Sequence, residues 1–379
     1  MKKILLVFGT RPEAIKMLPV AKALAREPDV QTLICVTGQH REMLDQVLNL
    51  FETEPDYDLD IMKRAIGLEQ ITTAVLDGVA KVIDEAGPDR ILVHGDTTTA
   101  MAASLAAFYR KVPVGHVEAG LRSGDIRQPW PEEANRRIVS VVTDLHFAPT
   151  AGARNNLLAE GTSARSIYIT GNTVIDALRL TVDRLRNDQE LDTEICSRFG
   201  FLNPEKPILL VTGHRRENFG APFRSLCEAI RDLANSGKVQ VVYPVHLNPH
   251  VKAPVNELLG DTCGVHLIDP LDYLSFVHLM QRSHVILTDS GGIQEEGPFL
   301  GKPVFVMRNV TERPEALAAG TVRLVGTDRD RIVSEVSGVL GYPGAYEEMS
   351  RAHNPYGDGY AASRIADVLV GRDVSEVAQ

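Results

Sequence analysis

The segment Val285–Ala316 contains the residues best suited to bind an anion. A short apolar strand leads into Ser290, Gly291 and Gly292, and a run typical of a helix follows over 293–300. Glycines carry no Cβ, so a ligand can approach their backbone, and the amides and dipole of a helix start favour phosphate. We expect Ser290 either to cap the helix or to donate to the same phosphate.

Glu296 follows the glycines by about one helical turn, where a carboxylate can accept both hydroxyls of a ribose. The segment therefore predicts a nucleotide diphosphate site. It is not a Walker A loop, because only three residues separate Gly297 from Gly301 and Pro303 stands where Ser or Thr must hold magnesium. An ordinary strand-to-helix turn explains the glycine pair, taken alone, about equally well.

Polar and charged residues also follow most of the other predicted strands. Because parallel strands end at one edge of a sheet, the residues that follow them gather at a common site. The candidates in the first half of the chain are Arg11, Lys16, Gln39, His40, Asp96, Glu118 and Glu132. Those in the second half are His214, Arg215 and His246.

The acidic candidates have structural alternatives. Asp96 could cap the next helix, and Glu132 and Glu133 could stabilise the first turn of another. Glu118 directly follows a buried strand, where a structural role is harder to find. The remaining histidines considered are expected to be structural or at the surface: His116, His146, His266, His278, His284 and His353.

The elements that position these residues alternate between apolar strands and amphipathic helices, which predicts parallel doubly wound sheets. A first series of strands is predicted at 4–8, 30–36, 91–93, 112–117, 145–148 and 167–169. A second series is predicted at 208–211, 239–243, 265–268, 285–287, 304–306 and 322–325. We expect two Rossmann-like α/β domains, 1–172 and 173–359, that face a central cleft, with a hinge in 174–199 and a last helix in 360–379 that packs back on the first domain.

Composition narrows the function. The 379-residue chain has a net charge of −10, which argues against binding nucleic acid or a membrane surface. No apolar run approaches the ~18 residues of a membrane helix, and the first apolar segment is too short for a signal peptide, so we expect a cytoplasmic protein. The four scattered cysteines predict reduced core thiols and no zinc site. Neither domain has G-x-G-x-x-G after its first strand, which disfavours a nicotinamide cofactor.

Taken in order, several stretches closely resemble the bacterial non-hydrolysing UDP-N-acetylglucosamine 2-epimerases. They are GTRPEAIK, HGDTTTA, GHVEAGLRSGD, PWPEEANRR, TGHRRENFG, TDSGGIQEE, TERPEA and NPYGDGYA, and they span nearly the whole chain. The resemblance implies a glycosyltransferase-B arrangement of the two domains and a homodimer. It also implies reversible conversion of UDP-GlcNAc to UDP-ManNAc, with neither cofactor nor metal.

The resemblance also implies roles for the candidates. Asp96, Glu118 and Glu132 would be the acid–base and cation-stabilising carboxylates. His214, Arg11, Lys16 and Arg313 would support the leaving diphosphate, Ser290, Gly291 and Gly292 would seat it, Glu296 would hold the ribose, and Leu271 and Phe276 would line the uracil pocket. Leu271 stands where some relatives have glutamine, which is tolerable if the backbone makes the contact.

Many bacterial relatives have a second, activating UDP-GlcNAc site. Gln39, His40, Arg215 and His246 would be its remnants here, but Ala65 and Ile66 stand where an Arg-Gln pair is expected, and Glu42 takes a glutamine position. We therefore expect weakened or absent substrate activation. Three alternatives to the epimerase stay open: a hydrolysing epimerase that releases ManNAc, a glycosyltransferase of the same fold, and a sensor without catalysis.

Overall fold

The structure is a computed structural model that describes residues 1–38, 41–61 and 67–372, with only the backbone described at 41, 42 and 216. The chain divides into two compact units, one formed by Met1–Arg179 with Tyr356–Gln379 and the other by Leu180–Pro355. Each unit contains one parallel sheet flanked by helices. The predicted class, two doubly wound α/β domains, is confirmed.

The first unit is built on a seven-stranded sheet in the order β3-β2-β1-β4-β5-β6-β7. Its strands are β1 (Lys2–Phe8), β2 (Val30–Val36), β3 (Tyr57–Asp58), β4 (Arg90–His94), β5 (Val114–Val117), β6 (Leu145–Ala148) and β7 (Ile167–Ile169). Its helices are α1 (Arg11–Leu24), α2 (Arg41–Leu50), α3 (Leu68–Ala86), α4 (Thr98–Tyr109), α5 (Glu132–Val142) and α6 (Ala151–Ala159), and α7 (Thr173–Asn187) contains the boundary between the units. The strand order reverses between β1 and β4, which is where such sheets bind ligands.

The second unit repeats this plan with a six-stranded sheet in the order β10-β9-β8-β11-β12-β13. Its strands are β8 (Ile208–Thr212), β9 (Gln240–Pro244), β10 (Val265–Ile268), β11 (Val285–Thr288), β12 (Val304–Val306) and β13 (Val322–Leu324). Its helices are α8 (Gln189–Arg198), α9 (Ala221–Asn235), α10 (Pro249–Leu259), α11 (Tyr273–Arg282), α12 (Ile293–Phe299), α13 (Pro314–Ala318), α14 (Arg329–Gly341) and α15 (Pro343–Ser350). Here the order reverses between β8 and β11.

Small residues let helices approach the sheets and each other closely. The alanine-rich α4 buries Ala103 and Ala107 in the core of the first unit, against α3. In the second unit, a Cβ at Gly297 would lie 2.5 Å from the Val304 side chain, so only glycine lets α12 pack this tightly on β12. That glycine therefore serves helix packing.

The last helix of the chain, α16 (Ala361–Val370), belongs to the first unit and packs against α1. Its first amides, at Ala361 and Ala362, donate to the buried carboxylate of Asp176 at 3.1 and 2.8 Å. These bonds satisfy donors that a helix start leaves unpaired. Burial raises the pKa of Asp176 to about 6.

The predicted strands are confirmed to within two residues at either end. The short strand β3 and the helix α6 were absent from the prediction, and segment 174–199 forms α7 and α8. Cys35 and Cys227 are buried thiols, but Cys196 and Cys263 are exposed, so the expectation of core cysteines is wrong for two of the four. None of the helices that the structure describes is both long and apolar enough to cross a membrane.

Candidate active site

In the first unit, a buried carboxylate joins the loops that follow β1 and β4. Glu13 Oε2 accepts a hydrogen bond from the Gly9 amide at 3.0 Å, and Oε1 accepts one from the Thr97 hydroxyl at 2.7 Å. Burial raises the pKa of this carboxyl, while the bonds from Thr97 and Gly9 oppose the rise. Glu13 thereby holds the loop that leads to Arg11 against the loop that carries Asp96.

Glu118 is the most constrained of the three predicted catalytic carboxylates. Its backbone φ is 64°, in the left-handed region that non-glycine residues rarely adopt. Its Oε2 pairs with the Lys16 ammonium, accepts from Asn172 Nδ2 at 2.8 Å and lies 3.7 Å from His94 Nε2. Burial opposes ionisation, but the interactions with Lys16 and His94 hold the pKa of Glu118 well below its usual range. The group is therefore an ionised carboxylate in a fixed position.

Asp96 does not cap a helix. The N-cap of α4 is Thr97, whose hydroxyl accepts from the Ala100 amide at 3.0 Å, so the structural alternative for Asp96 is wrong. Asp96 Oδ2 instead accepts from Arg136 Nη2 at 2.5 Å, and its carbonyl accepts from Asn135 Nδ2 at 2.9 Å. The carboxylate is thus held by the first turns of α5.

The first turn of α5 contains two glutamates in different surroundings. Glu133 is buried and accepts from Arg136 Nη1 at 3.0 Å and from the Ser123 amide at 3.1 Å. The carboxylate of Glu132 is partly exposed and has no hydrogen-bond or ion-pair partner among the described residues. Glu133 therefore serves the fold, and Glu132 is available to a ligand.

A buried neutral histidine on β5, His116, supports the loop that carries Asp96. His116 Nε2 donates to the Gly95 carbonyl, one residue before Asp96, at 2.8 Å. Burial lowers the pKa of His116 to about 3 and that of its neighbour across the sheet, His146, to about 4. Both imidazoles are therefore neutral near pH 7, which agrees with the expectation that these histidines are structural.

In the second unit, Asp289 performs the same joining role as Glu13. Its Oδ2 accepts from the amides of His214 and Arg215, both at 2.8 Å, and so joins the loop after β8 to the loop after β11. The Tyr243 hydroxyl donates to the Gly213 carbonyl at 2.8 Å and supports the same loop from behind. The His214 imidazole, half exposed, lies 3.7 Å from Asp289 Oδ1.

The residues predicted to bind an anion, Ser290, Gly291 and Gly292, follow Asp289 directly, and we call them the anion seat. The N-cap of α12 is Gly292 and has no side-chain cap, so the expectation that Ser290 caps this helix is wrong. Among the described residues, the amides of Gly291, Gly292 and Ile293 have no hydrogen-bond partner. Unpaired amides at a helix start are the donors that an anion needs.

Arg313 lies against the same turn. A Cβ at Gly291 would be 2.6 Å from Arg313 Nη1, so any other residue would displace the guanidinium. Arg313 Nε donates to Glu295 Oε1 at 2.5 Å, and Nη1 donates to Glu312 Oε1 at 2.8 Å. Two carboxylates therefore hold this cation in place beside the seat.

Glu296 is buried one turn into α12, where the Tyr273 hydroxyl donates to its Oε1 at 2.9 Å. Tyr273 begins α11, which Asp272 caps, and this end of α11 also carries the partly exposed Leu271 and Phe276. The expected ribose and uracil contacts therefore lie on neighbouring elements of the second unit.

Of the expected second-site remnants, His246 stacks on His214 with ring centroids 5.3 Å apart, and burial lowers the pKa of His246. Arg215 belongs to the loop joined by Asp289. Gln39, His40, Ala65 and Ile66 lie outside the described residues, as does the side chain of Glu42. The expectation about substrate activation therefore stays a prediction.

Within the first unit the structure brings Lys16 and Glu118 into contact, and Glu118 Oε1 lies 3.7 Å from the position of a Cβ at Gly95, next to Asp96. Within the second it groups His214, the seat, Arg313 and Glu296. The spacing of Thr10 and Glu13 predicts a capping box at the start of α1, and the structure confirms it. No role was predicted from the sequence for the supporting residues His94, Asp289, Glu295 and Glu312, although His94 and Asp289 stand at strand ends. No group of three or more His, Cys, Asp or Glu side chains within the described ranges suits a metal ion.

Two doubly wound units, each with a charged cluster at its reversal point, define a two-domain α/β protein of the class that binds ligands at strand ends. The sequence model of the UDP-N-acetylglucosamine 2-epimerase family matches residues 22–370. The chain belongs to this family.

Individual relatives agree with that membership. The UDP-N-acetylglucosamine 2-epimerase of Escherichia coli K12 is 56% identical over 374 residues, which cover 98% of this chain and 100% of the relative. The crystal structure of the Neisseria meningitidis enzyme bound to UDP-GlcNAc superposes with a TM-score of 0.92 at 50% identity, over 97% of this chain and 99% of that one. Acinetobacter baumannii MurG, at 14% identity over 98% of this chain and 99% of its own, shares the fold alone, with a TM-score of 0.61.

The buried His116 predicts a specific acid sensitivity. Its pKa is near 6.5 in the unfolded chain and about 3 in the folded one, so its stabilising effect is complete above pH 6.5 and declines as pH falls towards 3. Replacing it by Gln keeps a donor for the Gly95 carbonyl but removes the titration. Between pH 6.5 and pH 5, wild type should lose about 2 kcal/mol more of its free energy of unfolding than His116→Gln.

Urea denaturation of both proteins at the two pH values measures this difference. Equal losses in wild type and variant would show that the pKa of His116 is the same in the folded and the unfolded protein.

Proposed function

We propose that the protein interconverts UDP-GlcNAc and UDP-ManNAc by inverting C2, without hydrolysis. The observation that carries the proposal is the match to the 2-epimerase family along nearly the whole chain. The Neisseria meningitidis relative was crystallised with UDP-GlcNAc, which supports a UDP-sugar as the ligand of the seat after β11. The protein is accordingly an isomerase.

The chemistry demands more than a base at C2. The C2–H bond has no neighbouring carbonyl to acidify it, so direct proton removal is too costly. We propose that the bond between C1 and the UDP oxygen breaks first, with its electron pair leaving on UDP. The oxocarbenium-like centre at C1 acidifies C2–H, and loss of that proton gives 2-acetamidoglucal. Proton return on the opposite face and attack of the UDP oxygen on C1 complete the epimer.

The proposed roles follow the surroundings of each carboxylate. Glu118 is ionised and immobile, which suits it to stabilise positive charge or accept a proton. Asp96, held by Arg136, and Glu132, without a partner among the described residues, supply the remaining proton transfers.

The proposed diphosphate contacts are the seat amides with Ser290, together with cations. Arg313 stands fixed beside the seat, the His214 amide donates to Asp289 in the same unit, and Arg11 and Lys16 both belong to α1, the helix after β1. These groups stabilise the negative charge that UDP gains when it leaves. Glu296 would accept the ribose hydroxyls, and Leu271 and Phe276 would contact the uracil.

Two further expectations belong to the same proposal. The family resemblance supports a homodimer, and the absence of a long apolar run in the sequence supports a cytoplasmic enzyme. Size-exclusion chromatography with light scattering and cell fractionation, respectively, are the direct tests.

Solvent exchange tests the proposed reaction. In deuterated water, proton NMR of UDP-GlcNAc with the protein should show deuterium at C2 of a sugar that stays linked to UDP. The reason is that the proton removed from one face is replaced from solvent on the other. Free ManNAc as the main product would indicate a hydrolysing enzyme, and no exchange at all would indicate a transferase or a sensor.

Neutral isosteres test the carboxylates. Asp96→Asn or Glu118→Gln should lower turnover by about a hundredfold to ten-thousandfold, because each removes a charge needed in the transition state. UDP binding, measured by calorimetry, should persist because the seat lies on other loops. Asp84→Asn, which breaks an exposed pair with Arg110, is the control and should turn over normally. Near-normal turnover in both site variants would overturn their assignment.

A further inference from the structure

Three arginines of the second unit converge on one carboxylate, that of Glu312. Arg313 Nη1 donates to Oε1 and Arg308 Nη1 donates to Oε2, both at 2.8 Å. Arg215 Nη2 lies 3.5 Å from Oε1. Burial opposes ionisation of this group, but Arg313 and Arg308 lower the pKa of Glu312 to about 2. Glu312 is therefore an anion throughout the physiological pH range.

This anion lies at the edge of the proposed diphosphate seat. A Cβ at Gly291 would lie 2.6 Å from Arg313 Nη1 and 3.1 Å from Glu312 Oε1, so both groups border the seat glycine. Arg215 is tied to the same place by its amide, which donates to Asp289 at 2.8 Å. The negative side chain of Glu312 is therefore paired with Arg313 and Arg215, which stand next to the proposed site for a negatively charged diphosphate.

Glu312 is not required to orient these arginines by itself. Arg313 Nε also donates to Glu295 at 2.5 Å, and Arg308 Nε also donates to Glu217 at 2.9 Å. Each buried guanidinium therefore keeps a carboxylate partner when Glu312 loses its charge. If Glu312 is not needed to orient the arginines, its main effect is on the ligand. Its carboxylate repels a bound diphosphate and competes with it for the same guanidinium donors.

We propose that Glu312 is a built-in competitor of the nucleotide diphosphate, which weakens the hold of Arg313 on UDP. The inference rests on the proposed function, because it takes UDP as the ligand of the seat. In a reversible reaction UDP must be held, expelled from C1 and returned to it, and the product must then be released. Binding that is equally tight in every state does not accelerate that cycle.

The test is UDP binding to Glu312→Gln, measured by calorimetry. The amide keeps the shape of the carboxylate and one of its two acceptors, and Glu295 and Glu217 still hold Arg313 and Arg308, so the opposing charge is removed while the arginines keep a carboxylate partner. UDP should bind about fivefold to tenfold more tightly than to wild type. Uridine, which has no phosphate, should bind equally to both proteins. The gain should shrink at high salt because it is electrostatic.

Glu217→Gln is the matched control. It removes the same charge from Arg308, but Glu217 is half exposed, and among the described residues it pairs with Arg308, whereas Arg313 pairs with Glu295 and Glu312. UDP affinity should stay within about twofold of wild type. If Glu312→Gln does not fold, UDP binding is measured with Glu312→Asp instead. The shorter side chain moves the charge away from the seat by one methylene, so it should also tighten UDP binding.

Weaker UDP binding by Glu312→Gln or Glu312→Asp would overturn the proposal and make Glu312 a positioning residue for Arg313. An equal gain for uridine would also overturn it, because the effect would not involve the phosphates. A wild-type protein that binds no UDP would instead refute the seat itself, and with it the proposed function.

Discussion

Each unit depends on one buried carboxylate that joins the two loops at the reversal of its strand order. Glu13 joins the loops after β1 and β4, and Asp289 joins those after β8 and β11. A desolvated carboxylate is costly without donors, so the Gly9 amide and Thr97 hydroxyl must stay at Glu13. The amides of His214 and Arg215 must likewise stay at Asp289. The hydrogen bonds to these carboxylates therefore stabilise the loops and also fix the positions of the side chains that the loops carry. Two separate sheets solve the problem in the same way.

The acidic residues at the first reversal point differ in charge environment, and this difference gives them different capacities. Glu118 has a cation and an amide donor on one oxygen, Asp96 has a guanidinium, and Glu132 has no partner among the described residues. Neighbouring Glu133 is saturated by bonds within its own unit. The proposed proton transfers at two faces of one carbon need groups that are not equivalent, and these three carboxylates differ in their partners.

Much of the fold was predictable because strands buried on both faces must be continuously apolar, as β1, β8 and β11 are. The two-residue β3 has no such run, and α6 carries a weak pattern, so both were missed. For the candidate site, position after a strand singled out Asp96 and Glu118 as candidates. The partners of these groups lie far away in sequence, as with Lys16 and Glu118, and only folding shows them. The distinction between Glu132 and Glu133 likewise depends on which side of α5 faces the interior.

In the proposed mechanism, UDP leaves its sugar before C2 changes configuration. The most direct measurement uses UDP-GlcNAc with a heavy oxygen isotope in the bridge between C1 and the β-phosphate. If that bond breaks and reforms, the label must spread from the bridge to the non-bridging oxygens of the β-phosphate during epimerisation, which phosphorus NMR detects. Label that stays wholly in the bridge while UDP-ManNAc accumulates would contradict the account, because C2 would then have inverted with UDP still attached.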